Sequence, residues 1–324
     1  MPTDPFPIRR RLLQGAAVAT ATLAAAPRLW AQTPARPART LRVGHQKGWL
    51  SILKARGTLE KRLAPLGVGL TWTEFNAGPV QLEALNVGAI DFGDVGEAPP
   101  IFAQAAGAPL VYAGVTVPRP KLEAVIVPEA SPIRRVADLK GRRVAFNKGS
   151  NVQYFLVKLL ARHGLQYGDV QPVFLPPPDA RAAFEKGAID AWVIWDPFYA
   201  AAQKTLGARL LADAQGIVNN RGYYFSSRDF ATRNVDVLKI AIEEIDAVDR
   251  WAARHTAAAA AELSTVLGLD RAITELYLGR AAFGTTAVTG EILAEQQAIA
   301  DTFLDLKLIP RRLNLRHAAP VDLA

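Results

Sequence analysis

The chain has 324 residues, half of them hydrophobic, and a formal net charge of +8 at neutral pH, which is length and apolar content enough for two domains, each with its own core. It holds no cysteine, which excludes disulfides, thiolate catalysis and a lipidated-cysteine anchor. Its four histidines, His45, His163, His255 and His317, keep no metal-ligand spacing, so neither a metal nor another cofactor is expected.

Residues 1–31 read as an export signal. Arg9, Arg10 and Arg11 precede Leu12-Leu13, residues 15–26 are a short apolar run of small residues, and Leu29-Trp30-Ala31 offers a small residue for cleavage. The apolar run is too short to span a membrane as a helix. Twin arginines before a leucine pair favour the route that exports folded proteins. A cut after Ala31 is preferred to one after Ala26. It removes four arginines and one acid, a net +3, so +8 falls to +5 in the mature chain. That mild excess suits a small anion better than a nucleic acid. The pairs Arg134-Arg135, Arg142-Arg143 and Arg311-Arg312 are scattered, without interleaved aromatics, and read as solvated surface.

Residues 32–40 form a proline-punctuated leader. From Leu41 strands and helices alternate. Strands are expected at 41–44, 69–75, 90–95 and 110–117, with helices at 50–63, 80–87 and from Pro99 through Ala106. The plan then recurs: strands at 122–127, 142–146, 170–175 and 191–194, helices at 152–163 and 179–186. Residues 210–225 are expected to return to the first lobe. The helices Val235–Arg254, 257–267, Arg271–Arg280 and 290–306 complete it. An α/β clamshell of two lobes follows, with lobe I spanning 41–117 plus 218–324 and lobe II spanning 118–217.

The repeat can be read directly. Val43-Gly44-His45-Gln46-Lys47-Gly48 is echoed by Val144-Ala145-Phe146-Asn147-Lys148-Gly149, and Gly88-Ala89-Ile90-Asp91 by Gly187-Ala188-Ile189-Asp190. Ligands on such sheets bind beyond the carboxyl ends of the strands. The strand-to-helix loops there are therefore the candidate site: Gln46, Lys47 and Gly48; Gly78 and Pro79; Gly96, Glu97 and Ala98; Lys148, Gly149, Ser150 and Asn151. Helix starts in these loops present unpaired N–H groups to an anion, and Ser150 or Asn151 is placed to cap its helix. Trp195 reads either as a flat wall with an indole donor or as core packing, beside the acceptor Asp196. Arg119, in Pro118-Arg119-Pro120 where the chain crosses between lobes, either reaches an anion or decorates a hinge. Fixed acids at Glu97 and Asp196 would repel a doubly charged phosphate more than a singly charged sulfonate.

Several segments together resemble a known family. Gly44-His45-Gln46-Lys47-Gly48, Ala77-Gly78-Pro79, residues 82–91, residues 99–108, Val136-Ala137-Asp138-Leu139-Lys140-Gly141 and residues 190–197 are similar to the aliphatic sulfonate-binding proteins of ABC importers. The resemblance covers nearly all of the mature chain. It implies a periplasmic binding protein that closes around an alkanesulfonate and delivers it to a membrane permease with its ATPase, acting as a monomer without enzyme activity. Two positions depart from the family pattern. Asp94-Val95-Gly96-Glu97 stands where relatives often carry Ser-Thr-Gly-Asp, and Asn151 where they carry a second serine, so the preferred sulfonate is expected to differ. Nitrate and taurine binders of the same architecture remain competitors on substrate. A thiamine-pathway pyrimidine synthase on this scaffold would be expected to show a cysteine-rich motif that this chain lacks. A receptor subunit that presents bound ligand to a sensor would need the same clamshell.

Overall fold

The computed structural model describes residues 39–320, all within one compact unit, Pro37–Ala324. The expected export signal and most of the leader lie outside the described residues. Arg39 and Thr40 do not belong to the leader. They open the first strand, because Arg39 pairs in register with Val68 and its guanidinium meets Asp236 at 2.9 Å.

Strands β1 (Arg39–Gln46), β2 (Val68–Phe75), β3 (Phe92–Gly96) and β4 (Leu110–Thr116) come first. Strands β5 (Glu123–Val127), β6 (Arg143–Phe146), β7 (Gln171–Phe174), β8 (Ala191–Trp195) and β9 (Arg209–Asp213) make a second sheet, in the order β7-β6-β8-β5-β9. Then β10 (Gly222–Ser227) and β11 (Thr285–Thr286) rejoin the first, whose order is β11-β4-β10-β3-β1-β2. In each sheet a parallel core is flanked by one antiparallel strand that arrived from the other: β10 lies against β3 and β4, and β5 against β8 and β9. The segment 210–225 is thus divided. Its start is β9 in the second sheet, and only β10 returns to the first.

Alternation along β5 explains why helices cover both faces. Val125 and Val127 join the cluster around Phe155 and Leu156, while Ala124 and Ile126 join that around Trp192 and Tyr199. In the helix Val235–Arg254 the buried positions Val237, Leu238, Ala241, Ile245, Val248 and Ala252 recur at helical spacing and close the face of the first sheet. The helix expected over 50–63 is two helices, Leu50–Arg56 and Thr58–Leu63. Gly57 breaks it at φ 61°, with its N–H turned back to the carbonyls of Leu53 and Lys54.

The sequence repeat has one physical cause, stated twice. Asp91 accepts from the backbone N–H of Arg42 (3.0 Å) and from its guanidinium (2.6 and 2.8 Å), while Asp91 N–H returns to the Arg42 carbonyl at 2.8 Å. Asp190 does the same to Arg143, at 2.8 Å from the backbone and 3.0 and 3.2 Å from the side chain, with 2.9 Å on the return. Gly88 and Gly187, both left-handed, end the preceding helices and turn their carbonyls to the same arginines. Each aspartate therefore sets the register between the first and third strands of its half.

Two segments link the sheets, 117–122 and 214–221, and they are bonded to each other. Arg119 N–H donates to the Asn219 carbonyl (2.9 Å), Asn220 Nδ2 to the Arg119 carbonyl (3.0 Å), and Ala214 N–H to the Pro120 carbonyl (3.2 Å).

Asp91 is buried, whereas Asp190 is only partly so. Asp91→Ala should therefore cost about 2–3 kcal/mol, because it strands a buried N–H and a guanidinium, and Asp190→Ala about 1 kcal/mol. Urea denaturation of the two variants checks both the size and the order.

Candidate functional site

A cavity of about 140 Å³ lies between the carboxyl ends of β1 and β3 on one side and the start of the helix Asn151–Arg162 and the end of β8 on the other. Of the residues expected from sequence, Gln46, Lys47, Gly48, Gly78, Gly96, Arg119, Ser150, Asn151, Trp195 and Asp196 line it. The two sides touch. A Cβ on Gly96 would stand 2.9 Å from Cβ of Asn151, so only glycine lets β3 come this close to the opposite helix start.

Five expected residues stand elsewhere. Pro79 opens the helix Gly78–Asn86 and lines a groove with Phe102 and Ala103 on its far side. Glu97 is buried beneath the loop, where its Oε2 accepts from Arg221 N–H at 3.1 Å. Ala98 is buried at the cap of the helix Pro99–Ala105. Lys148 is exposed and lies over the ring of Phe174, 5.4 Å from its centre. Gly149 is buried, and its N–H is already taken by Gln153 Oε1 at 2.7 Å. The mirrored lysines are therefore not equivalent: Lys47 reaches the cavity and Lys148 does not.

The remaining side chains hold roles that spacing alone did not specify. Ser150 sits at the helix cap, but its hydroxyl donates backward to the Asn147 carbonyl (2.7 Å) and caps nothing. Asn151 does not cap either. Its Nδ2 donates to Glu123 Oε2 (2.7 Å) on β5 and to Asn220 Oδ1 (3.1 Å) in the crossing segment. Arg119 is held by both readings of its position: it lines the cavity while its Nε donates to the Ala282 carbonyl (2.9 Å) and Nη2 stands 3.7 Å from buried Asp249.

Asp196 is not the unpaired repelling acid expected. Its oxygens meet Arg280 Nη1 at 3.1 and 3.3 Å, and Oδ1 accepts the Ala200 N–H at 2.8 Å. Arg280 ends the helix Arg271–Arg280, which packs on Phe198–Leu206, and its guanidinium lies 3.7 Å from the centre of the Tyr199 ring. Sequence reading had no signal for this partner, which comes from 84 positions away. It also missed Thr116, Asn220, Tyr224 and Tyr277, which line the cavity from the crossings and the late helices.

The acids around the cavity are all raised by burial. Desolvation pushes Asp94 up to about 7 against the lowering field of Arg119. Glu97 also rises to about 7, its burial outweighing the Arg221 N–H. Glu123 lies well above the usual carboxylate range through burial and then the charge of Glu97. Asp196 reaches about 6, held down by Arg280. A carboxyl whose folded pKa exceeds its unfolded value contributes stability that is present at low pH and lost as pH rises through the folded value. The Asp94→Asn variant should therefore gain stability over the parent progressively from about pH 4 to about pH 7 and level off above. Thermal unfolding of both proteins across that range checks the sign.

The family described as NMT1/THI5 like matches residues 67–259. A relative from Escherichia coli (strain K12), named as an aliphatic sulfonates-binding protein, is 42% identical over 279 residues, 85% of this chain and 87% of that protein. The alkanesulfonate-binding protein SsuA from Xanthomonas axonopodis pv. citri, solved bound to MOPS, is similar with a TM-score of 0.83 and 41% identity, over 86% of this chain and 97% of that one. The periplasmic aliphatic sulphonate binding protein SsuA from Escherichia coli gives a TM-score of 0.79 at 41% identity, over the same shares. With the cavity between two sheets and this likeness along most of its length, the chain belongs to the aliphatic sulfonate-binding proteins of the NMT1/THI5-like family.

Proposed function

We propose that the chain is the exported substrate-binding component of an ABC importer, which takes up a sulfonate from the periplasm and hands it to a membrane permease driven by its ATPase. The observation that carries the reading is the convergence of two mirrored strand-to-helix loops, Gln46-Lys47-Gly48 and Ser150-Asn151, on one cavity. Helix starts on two sides of one cavity suit an anion that only accepts hydrogen bonds, each such bond contributing about 0.5–1.5 kcal/mol net. No nucleophile-base pair is needed for this role, and the protein acts by binding, as a monomer, without a cofactor.

In this reading residues 41–117 with 218–324 form lobe I and 118–217 lobe II, hinged near 116–119 and 214–219. The ligand closes them through contacts to both. Residues 1–31 serve as the twin-arginine signal and are removed. Trp195, at the end of β8, forms a wall of the site.

Isothermal titration of the mature, ligand-stripped protein with an alkanesulfonate, taurine, nitrate and sulfate tests the proposal. Tight binding of a sulfonate supports it, and heat from nitrate or sulfate alone would overturn the substrate. Trp195→Ala should weaken sulfonate binding by about tenfold or more, since it removes packing area and an indole donor together. Lys47→Ala, which removes an exposed side chain, should cost about threefold or less. Equal losses in titration would remove Trp195 from the site.

A further inference from the structure

Among the described residues three ion pairs flank the cavity, and one of them is inverted. Arg119 and Arg221 stand in the cavity wall, while their partners Asp249 and Glu295 stand outside it. In the third pair the acid is in the wall and the base is not: Asp196 lines the cavity beside Trp195, and Arg280 does not line it. The Asp196 side chain is fully withdrawn from water. Its charge acts on an anion in the cavity through its field and needs no exposed atom to do so.

Arg280 is placed with care for a residue that stops short of the site. It is the last residue of the helix Arg271–Arg280, one turn after Tyr277, which does line the cavity. Three partners from the other sheet's half fix its guanidinium. Nη1 meets both oxygens of Asp196 at 3.1 and 3.3 Å, Nη2 donates to Gln203 Oε1, and the plane lies 3.7 Å from the centre of the Tyr199 ring. A rigid fork that also stacks on a ring is held in one orientation at the carboxylate, which a lysine's point charge would not be. The Ala200 N–H, at 2.8 Å from Asp196 Oδ1, supplies a hydrogen bond but no compensating charge.

Resting on the sulfonate reading above, we propose that Arg280 is a specificity-determining residue that never touches the ligand: it neutralises Asp196, and the pair sets how much negative charge the bound anion carries. With both members present this wall contributes no net charge, and a single negative charge is accepted. Without Arg280 the wall is acidic and repels the anion. Without Asp196 it is basic and draws in a second negative charge. An uncompensated unit charge within about 10 Å of a bound anion changes affinity by about tenfold per ligand charge. A ligand with two charges feels each change twice, whereas any change in how readily the halves close acts on all ligands alike.

The test is isothermal titration at pH 8 of the mature, ligand-stripped protein with 1-butanesulfonate and 3-sulfopropanoate, which match in length and differ by one negative charge. The parent, Asp196→Asn, Arg280→Gln and the double variant are compared by the ratio of the two affinities, in which any common effect on closure cancels. Asp196→Asn should move the ratio about tenfold toward the doubly charged ligand, and Arg280→Gln about tenfold away from it. The double variant should return close to the parent's ratio even where both of its affinities are weaker. If one single variant fails to fold, the other and the double variant still decide. Ratios that stay within about twofold of the parent in every variant, or single variants that move the same way, overturn this inference and leave the sulfonate function standing. Silence of the parent toward both ligands overturns the sulfonate function and this inference with it.

Discussion

The structure depends on two chain crossings that hydrogen-bond to each other. Residues 117–122 and 214–221 carry every described covalent link between the two sheets, and the bonds of Arg119 to Asn219 and Asn220 make them one unit. Because each crossing feeds an antiparallel strand between two strands of the sheet it enters, neither sheet is complete without it. The proposed hinge between the halves would accordingly lie in the backbone torsions of these segments. Asn220 joins this node to the cavity, since its Oδ1 accepts from Asn151, which also holds Glu123. Two hydrogen bonds thus link the cavity wall to the crossing.

A second tie closes the far side. Asp196 and Arg280 are both largely withdrawn from water, and the pair joins the end of β8 to a late helix of the first sheet's half. Breaking one partner of such a buried pair leaves a desolvated charge, a loss of about 3–5 kcal/mol. The pair is consequently a contact that favours the halves in apposition. In the proposed open form the cost of separating the pair would be lowered by exposure, because water would reach both groups if the helix Arg271–Arg280 left Phe198–Leu206.

Much of the fold was legible because its signals are local. Asp91 and Asp190, each three residues after a left-handed glycine, could be seen as a repeat before their hydrogen bonds to Arg42 and Arg143 were known. The loops at Gln46–Gly48 and Ser150–Asn151 followed from the same repeat. The failures share a cause as well. Lys148 and Gly149 look like Lys47 and Gly48 in sequence, yet Lys148 lies over Phe174 and neither it nor Gly149 lines the cavity. Arg280, Asn220 and Tyr277 lie in segments outside the repeat, so no periodicity pointed to them. Gly57 was overlooked because the apolar spacing of residues 50–63 continues across it, and only its φ shows the break.

The arginines of the cleft follow one rule. Arg119, Arg221 and Arg280 face Asp249, Glu295 and Asp196, so each guanidinium near the cavity is spent within the protein. In the proposed reading an anion entering here would be met by helix starts, whose partial charges hold a single negative charge without a counter-ion. Exposed Lys47 adds a screened, mobile charge at the rim. Asp94 forms no ion pair among the described residues, and burial raises its carboxyl to about 7 against the backbone N–H groups of Asp94 and Gln46 and the charge of Arg119.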